Sequence, residues 1–193
     1  EMKMNKVTKK LLEMVSDLVG DPTGAYNIRE DGQCAGRQST EHIQINPKKG
    51  KPGIDIIIQP EAKGETVYIP ACVTHSHVDD LVYNDFYVVE GADVTIVAGC
   101  GVHTDGEESS QHNGIHRFFI GKNARVLYLE KHIGIGEGTG ERIINPQTYA
   151  EIAEGGYMEM NSTQIKGVDS TNRITKAKLD KGAKIVVKEK IMT

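Results

Sequence analysis

A weak internal repeat is the sequence feature that most constrains how this chain can fold. At four places a charged residue, a turn former, a small residue, a variable residue and an apolar residue follow one another. The small residues are Ala92, Ala124, Gly156 and Ala183, so successive units are 32, 32 and 27 residues apart. A repeat in this range is typical of a solenoid, whose stacked coils share one continuous core.

The segments between these units favour a solenoid made of strands. From residue 54, short runs rich in β-branched and aromatic residues follow one another, and Gly, Asn or Asp stands in nearly every gap. An all-β sandwich is the alternative, but sandwich strands usually lack a fixed long repeat. The predicted strands of the solenoid are Ile54–Ile58, Thr66–Ile69, Phe86–Val89, Val94–Val97, Phe118–Ile120, Val126–Leu129, Ile165–Val168 and Lys184–Lys188.

The N-terminal part of the chain has a different pattern. Apolar residues at spacings of three and four predict one amphipathic helix over residues 3–19, and its stripe consists of Val7, Leu11, Val15 and Leu18. Gly20 and Pro22 end this helix, and a Gly-, Pro- and Asn-rich stretch with one short strand, His42–Ile45, follows. We therefore predict a helix and cap or linker over 1–53 and an all-β solenoid core over 54–193.

Charge and hydropathy argue against two classes of partner. The chain has 23 basic and 27 acidic residues, a net charge of −4 and no basic stripe, so we expect no nucleic-acid partner. No apolar run approaches the length of a membrane span and no signal peptide is recognisable, so we expect a soluble cytoplasmic protein. Three widely spaced cysteines, Cys34, Cys72 and Cys100, favour reduced thiols over a disulfide framework.

One polar group lies near the start of the solenoid core. His75, His77 and Asp79 would point to the same side of an extended chain, shortly after Cys72. Imidazole and carboxylate groups on one face can hold a metal ion. The alternative is an ordinary polar outer face, and the spacing matches no fixed ligand motif.

A second group is the main candidate for a metal site. Cys100 and His103 form a C-x-x-H pattern, and His112 and His116 form an H-x-x-x-H pattern. One sulfur and three nitrogen ligands would suit zinc or iron. Gly114 argues against a helix between the two histidines, so they need not share a face. The structural alternative is that Cys100 fills the core while the histidines cap turns.

A third group and a glycine-rich loop complete the candidates. Glu130 and His132 share one face of a predicted strand, either as a hydrogen-bonded surface pair or as a ligand or proton shuttle. The loop over 134–140 lacks the pattern of a nucleotide-binding loop, and we interpret it as a surface loop.

No motif in the sequence requires an enzymatic function. The enzymatic alternative is a polysaccharide-active solenoid with acidic residues Asp79, Asp80 and Asp85.

Eight stretches in a fixed order carry a resemblance that covers nearly the whole chain. They are GAYNIR (24–29), PGIDI (52–56), VYIP (67–70), VYNDF (82–86), VAGCGVH (97–103), HNGIHRF (112–118), YLEKH (128–132) and QIKGVDST (164–171). Together they resemble the core of the SufB/SufD family of SUF iron–sulfur cluster assembly proteins. The resemblance implies a right-handed parallel β-helix that acts as a non-enzymatic scaffold. It also implies a SufC-like ABC ATPase and a second SufB/SufD-type subunit as partners, in a homo- or heterodimer, and a transient iron–sulfur cluster.

The chain departs from that family at its C-terminal end. Family members continue past the equivalent of Thr193 with further coils, a cysteine-bearing motif and helices that dock the ATPase. This chain ends in a strand-like run over 184–191 without a cap, so we expect either a fragment or a partner that covers the end. The principal cysteine of the family therefore maps onto no residue here, and the choice between a SufB-like and a SufD-like role stays open.

Overall fold

The computed structural model describes residues 4–16 and 23–192, and within them the chain forms one helix and fourteen strands. The helix, α1, spans Lys6–Ser16. The strands are β1 Ala25–Glu30, β2 Gln33–Gln38, β3 Ile43–Pro47, β4 Gly53–Ile58, β5 Lys63–Tyr68, β6 Ala71–Val73, β7 Asp79–Val88, β8 Asp93–His103, β9 Ser110–Ile120, β10 Arg125–Ile135, β11 Arg142–Ile152, β12 Tyr157–Lys166, β13 Ile174–Leu179 and β14 Lys184–Ile191.

The strands build two sheets that enclose the core. Sheet A has the order β14-β12-β10-β8-β5-β1-β2, with β6 beside β1 and β8, and sheet B has the order β13-β11-β9-β7-β4-β3. From β7 onward the chain alternates between the sheets, and all neighbours there are parallel. This confirms the predicted all-β solenoid, which has about four turns.

The register between coils stacks equivalent side chains into ladders inside the solenoid. Phe86 pairs with Phe118, and Val94 pairs with Val126, which in turn pairs with Met158. All five side chains are at most 1% exposed. Such ladders bury a continuous apolar strip. Burial of this strip is the main favourable contribution to the free energy of folding, because a single coil cannot fold alone.

The small residue of each repeat closes a tight turn before a strand of sheet A. The backbone N–H groups of Ala92, Ala124, Gly156 and Ala183 each donate to the carbonyl three residues earlier, at 2.9–3.1 Å. Ala62 closes a fifth such turn at 3.0 Å. The sequence repeat does not predict this turn, because Gly64 forms a bulge at the position where the repeat has its apolar residue.

Enlarging one of these turn residues is expected to destabilise the protein. Ala124 is fully buried, so Ala124→Leu forces three extra carbon atoms into a closed turn and should cost about 1–3 kcal/mol of unfolding free energy. The matched control is Ala177→Leu, because Ala177 is exposed on β13 and should change the unfolding free energy by about 0.5 kcal/mol or less. Urea unfolding measures both variants, and equal losses would contradict this account of the repeat.

Helix α1 lies on the outer face of sheet A. The side-chain oxygen of Asn5 caps it by accepting a first-turn backbone N–H at 2.8 Å. Leu11 and Val15 pack on Gly101 and Gly99 of β8, where a Cβ atom would come within 2.5–2.6 Å of them. Of the helix predicted over 3–19, residues 6–16 are confirmed and residues 4 and 5 precede it, while positions 3 and 17–19 lie outside the described residues. In the described part of the chain, no helix is long and apolar enough to cross a membrane.

Most predicted strands are confirmed but are longer than the sequence indicated. The prediction Ile165–Val168 is confirmed only for its first two residues, because β12 ends at Lys166. Five strands were not predicted, namely β1, β2, β6, β11 and β13. In β11 the pair Asn145-Pro146 resembles a turn, yet Pro146 sits in the strand opposite Gly114. The strands β1–β3 join both sheets, and the division at residue 53 stays a prediction.

Candidate functional site

A small polar cavity of about 50 Å³ lies between the two sheets, beside the apolar strip. It is lined by the middle parts of β7 to β11, with further residues from β1, β2, β4 and β6. The chemically versatile residues in its wall are Cys100, His112, His116, Tyr128, Glu130 and His132. Burying polar groups inside a solenoid is costly unless they have hydrogen-bond or ion-pair partners or bind a ligand, so this cavity is the candidate site.

Three of the four predicted metal ligands line the cavity. Cys100 reaches it from β8, and His112 and His116 reach it from β9. His103 does not, because its Nδ1 lies 3.0 Å from the backbone oxygen of Thr74 and its ring borders α1 outside the sheet. Within the described residues no group of three or more His, Cys, Asp or Glu side chains has the arrangement of a metal site. The four-residue ligand set therefore stays a prediction.

Gly114 explains how two histidines of one strand face the same space. His112, Gly114 and His116 all point to the inside of the solenoid, since every second residue of a strand points to the same side. A Cβ atom on Gly114 would lie 3.2 Å from Nε2 of His112 and 3.3 Å from Nε2 of His116. Both nitrogens therefore border the small volume that the glycine leaves open.

A buried carboxylate orients His112. Asp80 Oδ2 lies 2.8 Å from Nδ1 of His112, and Asp80 also accepts hydrogen bonds from Nη2 and Nε of Arg29 at 2.8 and 3.1 Å. Burial by itself would raise the pKa of Asp80, but the bonds from His112 and Arg29 hold that pKa well below its usual range. Asp80 is therefore a permanent acceptor.

A chain of hydrogen bonds orients His116. Its Nδ1 lies 2.9 Å from the hydroxyl of Tyr128, which donates to Oε2 of Glu130 at 3.1 Å. Burial lowers the pKa of His116 to about 4, so the ring is neutral at physiological pH. Burial and the charge of Glu130 raise the pKa of Tyr128, so its hydroxyl keeps its proton. Both groups are thus fixed in one protonation state.

Glu130 lies at the centre of the buried charges. Its carboxylate is within 3.6 Å of Nε2 of His132 and within 2.5 Å of Nη2 of Arg173, which also donates to Oγ of Ser162 at 2.6 Å. The predicted shared face of Glu130 and His132 is confirmed, but this face points into the solenoid, because both residues are only 4% exposed. The alternation of side chains along a strand predicts that Glu130 and His132 share a face, but it does not predict whether that face is buried.

Comparisons with known proteins leave the question of family to the sequence motifs. No family model, no curated protein and no solved structure matches the chain. The resemblance to the SufB/SufD family therefore stays a prediction, and function has to be argued from the motifs and from the chemistry of the cavity.

The first predicted polar group does not converge on a site. His75 and His77 lie in a bend between β6 and β7, and His77 has a φ of 66°, so the expectation of an extended chain is wrong. His75 lies 3.6 Å from Asp105 and His77 lies 2.8 Å from Glu108, both at the surface. Local backbone bending thus separates side chains that a straight strand would have aligned.

The acidic residues of the enzymatic alternative also lie apart. Asp80 points into the solenoid, whereas Asp79 points outward on the same strand. Asp85 lies on the outer face and is held by Lys48 at 2.7 Å and Arg117 at 2.6 Å. Asp79 and Asp85 share the outer face but are six positions apart on β7, which separates them by about 20 Å along the strand. Two carboxylates that flank one glycosidic bond are within about 10 Å of each other, so nothing in this arrangement favours polysaccharide cleavage.

The cysteines differ sharply in environment. Cys34 is exposed, whereas Cys72 and Cys100 are buried. Burial raises the pKa of both buried thiols well above its usual value, and nearby carboxylates, among them Glu130 beside Cys100, add to the shift. A protonated thiol is a poor nucleophile, so Cys100 can act as a ligand only where a bound ion displaces its proton.

Thiol reagents are expected to distinguish these environments. In the native protein, Ellman's reagent should modify only Cys34 rapidly, because the thiolate form and access are both needed. In denaturant all three thiols should react. The control Cys34→Ser should show no fast phase, and a fast second thiol in the native wild-type protein would contradict the burial of Cys72 and Cys100. The measurement is absorbance of the released thiolate against time.

Proposed function

We propose that this chain is a non-enzymatic scaffold subunit of a SUF-type iron–sulfur cluster assembly complex. In this proposal it acts in the cytoplasm with a SufC-like ABC ATPase and a second SufB/SufD-type subunit. The observation that carries the proposal is the convergence of motifs. Seven of the eight family-like stretches, all except 164–171, are separate in sequence and contribute residues to the wall of one cavity.

The chemistry of the cavity supports a scaffold more than an enzyme. A thiol and imidazoles are ligands that iron and iron–sulfur clusters accept. The buried thiol of Cys100 has a raised pKa and lacks the activated form that nucleophilic catalysis needs. A site that holds iron or sulfide briefly and passes it on needs ligands rather than an activated nucleophile.

The test has two independent measurements on the purified chain. The first is co-purification with a SufC-like ATPase and with a second SufB/SufD-type subunit, where we expect a stable complex. The second is anaerobic reconstitution with iron and sulfide, read by visible absorbance and metal analysis. We expect cluster absorbance that is lost in Cys100→Ala and kept in Cys34→Ala and Cys72→Ala. Failure of both measurements would rule the proposal out.

A simple metal-binding module is the second candidate function. The observation that favours it is the placement of two imidazole Nε2 atoms around the space left by Gly114. Stoichiometric metal binding combined with no affinity for an ATPase or a second subunit would favour the module over the assembly subunit.

A further inference from the structure

We propose that His112 and His116 bind one divalent transition-metal ion inside the solenoid, in the space left open by Gly114. The two Nε2 atoms lie 3.2 and 3.3 Å from the position of the missing Cβ atom, so an ion placed between them can be reached by both with small side-chain shifts. This inference rests on the cavity alone and holds whether or not the chain belongs to an assembly complex.

The partner of His112 directs its lone pair toward the cavity. Asp80 forms an ion pair with Arg29 at 2.8 Å and both of its oxygens accept from that guanidinium, so the hydrogen bond of 2.8 Å to His112 requires a proton on Nδ1 of His112. In the neutral ring the lone pair is then on Nε2, and no described residue forms a hydrogen bond with that atom. A carboxylate behind a histidine is the arrangement that fixes metal-ligating imidazoles and raises their basicity.

The hydroxyl of Tyr128 likewise fixes which ring nitrogen of His116 carries the proton. The hydroxyl of Tyr128 has one hydrogen, and it is donated to Glu130. The hydroxyl must therefore accept at 2.9 Å from Nδ1 of His116, which carries the ring proton. The lone pair of His116 is thus also on Nε2, where it accepts a hydrogen bond from the amide nitrogen of Asn84 at 3.3 Å.

An unpaired buried amide gives independent support. Asn84 lines the same cavity and is only 6% exposed, yet its Oδ1 has no hydrogen-bond partner among the described residues. A buried carbonyl oxygen without a partner is costly, and a bound cation would satisfy it. The two amide ends are interchangeable by rotation, so Oδ1 can take the position beside His116 when an ion is bound.

The ligand chemistry selects the class of ion. Two imidazole nitrogens with an amide oxygen suit zinc, iron, nickel or copper, while calcium and magnesium prefer all-oxygen shells. A cavity of about 50 Å³ also has room for water, which would complete the coordination. The exposed residue Cys34 lines the same cavity, so the cavity reaches the surface beside β2 and gives an ion a route inward.

The test is an anaerobic titration of the chelator-treated chain with Co²⁺, followed by visible absorption and calorimetry. Three variants remove parts of the site. His116→Phe keeps the ring packing on Phe86, His112→Asn keeps an N–H donor for Asp80, and Gly114→Ala leaves both imidazoles but fills the space between them. His103→Asn is the matched control, because His103 lies outside the cavity. Circular dichroism checks that each variant folds.

We expect wild type and His103→Asn to bind one equivalent. The other variants should bind about tenfold more weakly or worse, since even the loss of an outer hydrogen-bond partner can cost that much. No bound cobalt in the wild-type protein, or wild-type affinity in the folded histidine variants, would overturn the proposal. Should the histidine variants fail to fold, Gly114→Ala decides by the same criterion. Cobalt binding says nothing of ATPase or subunit binding, so this proposal and the assembly role can fail separately.

Discussion

Replacing Phe86 by alanine is expected to lower the free energy of unfolding by about 3–5 kcal/mol. Phe86 is fully buried in the ladder between the sheets, and its ring stacks on Phe118 with centroids 4.5 Å apart and an interplanar angle of 6°. Truncation removes apolar burial, the ring stacking and the packing against His116 together. The flat sheets on either side cannot collapse far into the resulting void, which keeps the cost near the top of the range for core truncations.

The neighbouring residue is the matched control for this change. Tyr87 is on the same strand but points outward, is 40% exposed, and stacks on Phe119 at 5.2 Å. Tyr87→Ala should therefore cost about 1 kcal/mol, the value of an exposed aromatic pair. Denaturant unfolding followed by circular dichroism measures both variants. Similar losses for the two would mean that the inward and outward faces of β7 are assigned incorrectly.

Removing the arginine that faces Glu130 is expected to be nearly as damaging. Arg173→Met keeps most of the side-chain volume but leaves a carboxylate, 3% exposed, without its cation. Breaking a buried ion pair from one side typically costs about 3–5 kcal/mol, because the remaining charge has lost its solvent and its partner. The double variant Glu130→Gln with Arg173→Met should recover much of this loss, because an uncharged amide can still accept from Tyr128.

The loss caused by Arg173→Met is expected to depend on pH in a defined direction. Burial alone would raise the pKa of Glu130, but His132, Arg173 and Ser162 hold that pKa well below its ordinary value of 4.5. In the wild-type protein, ionised Glu130 thus stabilises the fold above about pH 4.5, and this contribution is lost as the pH falls below that value. Without Arg173, burial weighs more heavily and the pKa of Glu130 rises.

Protonation then removes the uncompensated charge from the variant. The stability difference between wild type and Arg173→Met should be largest near neutral pH and should narrow as the pH falls toward about 4. Urea unfolding at several pH values measures this difference. A difference that stays constant or widens on acidification would show that Glu130 is not the group exposed by the loss of Arg173. The double variant, which lacks the carboxyl, should show no such narrowing relative to Glu130→Gln alone.

Part of the candidate site can be predicted from the sequence. Cys100 and His103 are three residues apart, so a straight strand places them on opposite faces, and the structure indeed separates them. His112 and His116 are four apart, so the same rule would have placed them together once β9 was recognised as a strand. The C-x-x-H spacing is typical of a ligand pair in a turn, but inside a strand the period of two turns its two side chains to opposite faces.

Other members of the site carried no local signal. The sequence indicates Asp80 only as one of three acidic residues of a polysaccharide-active solenoid, and its role behind His112 depends on the pairing of β7 with β9. No sequence pattern predicts Tyr128 or Arg173 as a site residue. Their contacts with His116 and Glu130 join segments that lie up to 43 residues apart, and only the register of neighbouring coils brings them together.

The sequence by itself determined that this chain is a solenoid of strands, and it determined the positions of four of the five tight turns before strands of sheet A. Those features are local, because a small residue after a turn former is needed wherever the chain reverses, and the need recurs with every coil. Only the tertiary structure decided which polar residues meet. Cys100 and Glu130 belong to sheet A, and Asp80, His112 and His116 belong to sheet B, so their meeting requires two sheets to face each other. The distances across that gap follow from strand register and sheet packing, which no short stretch of sequence encodes.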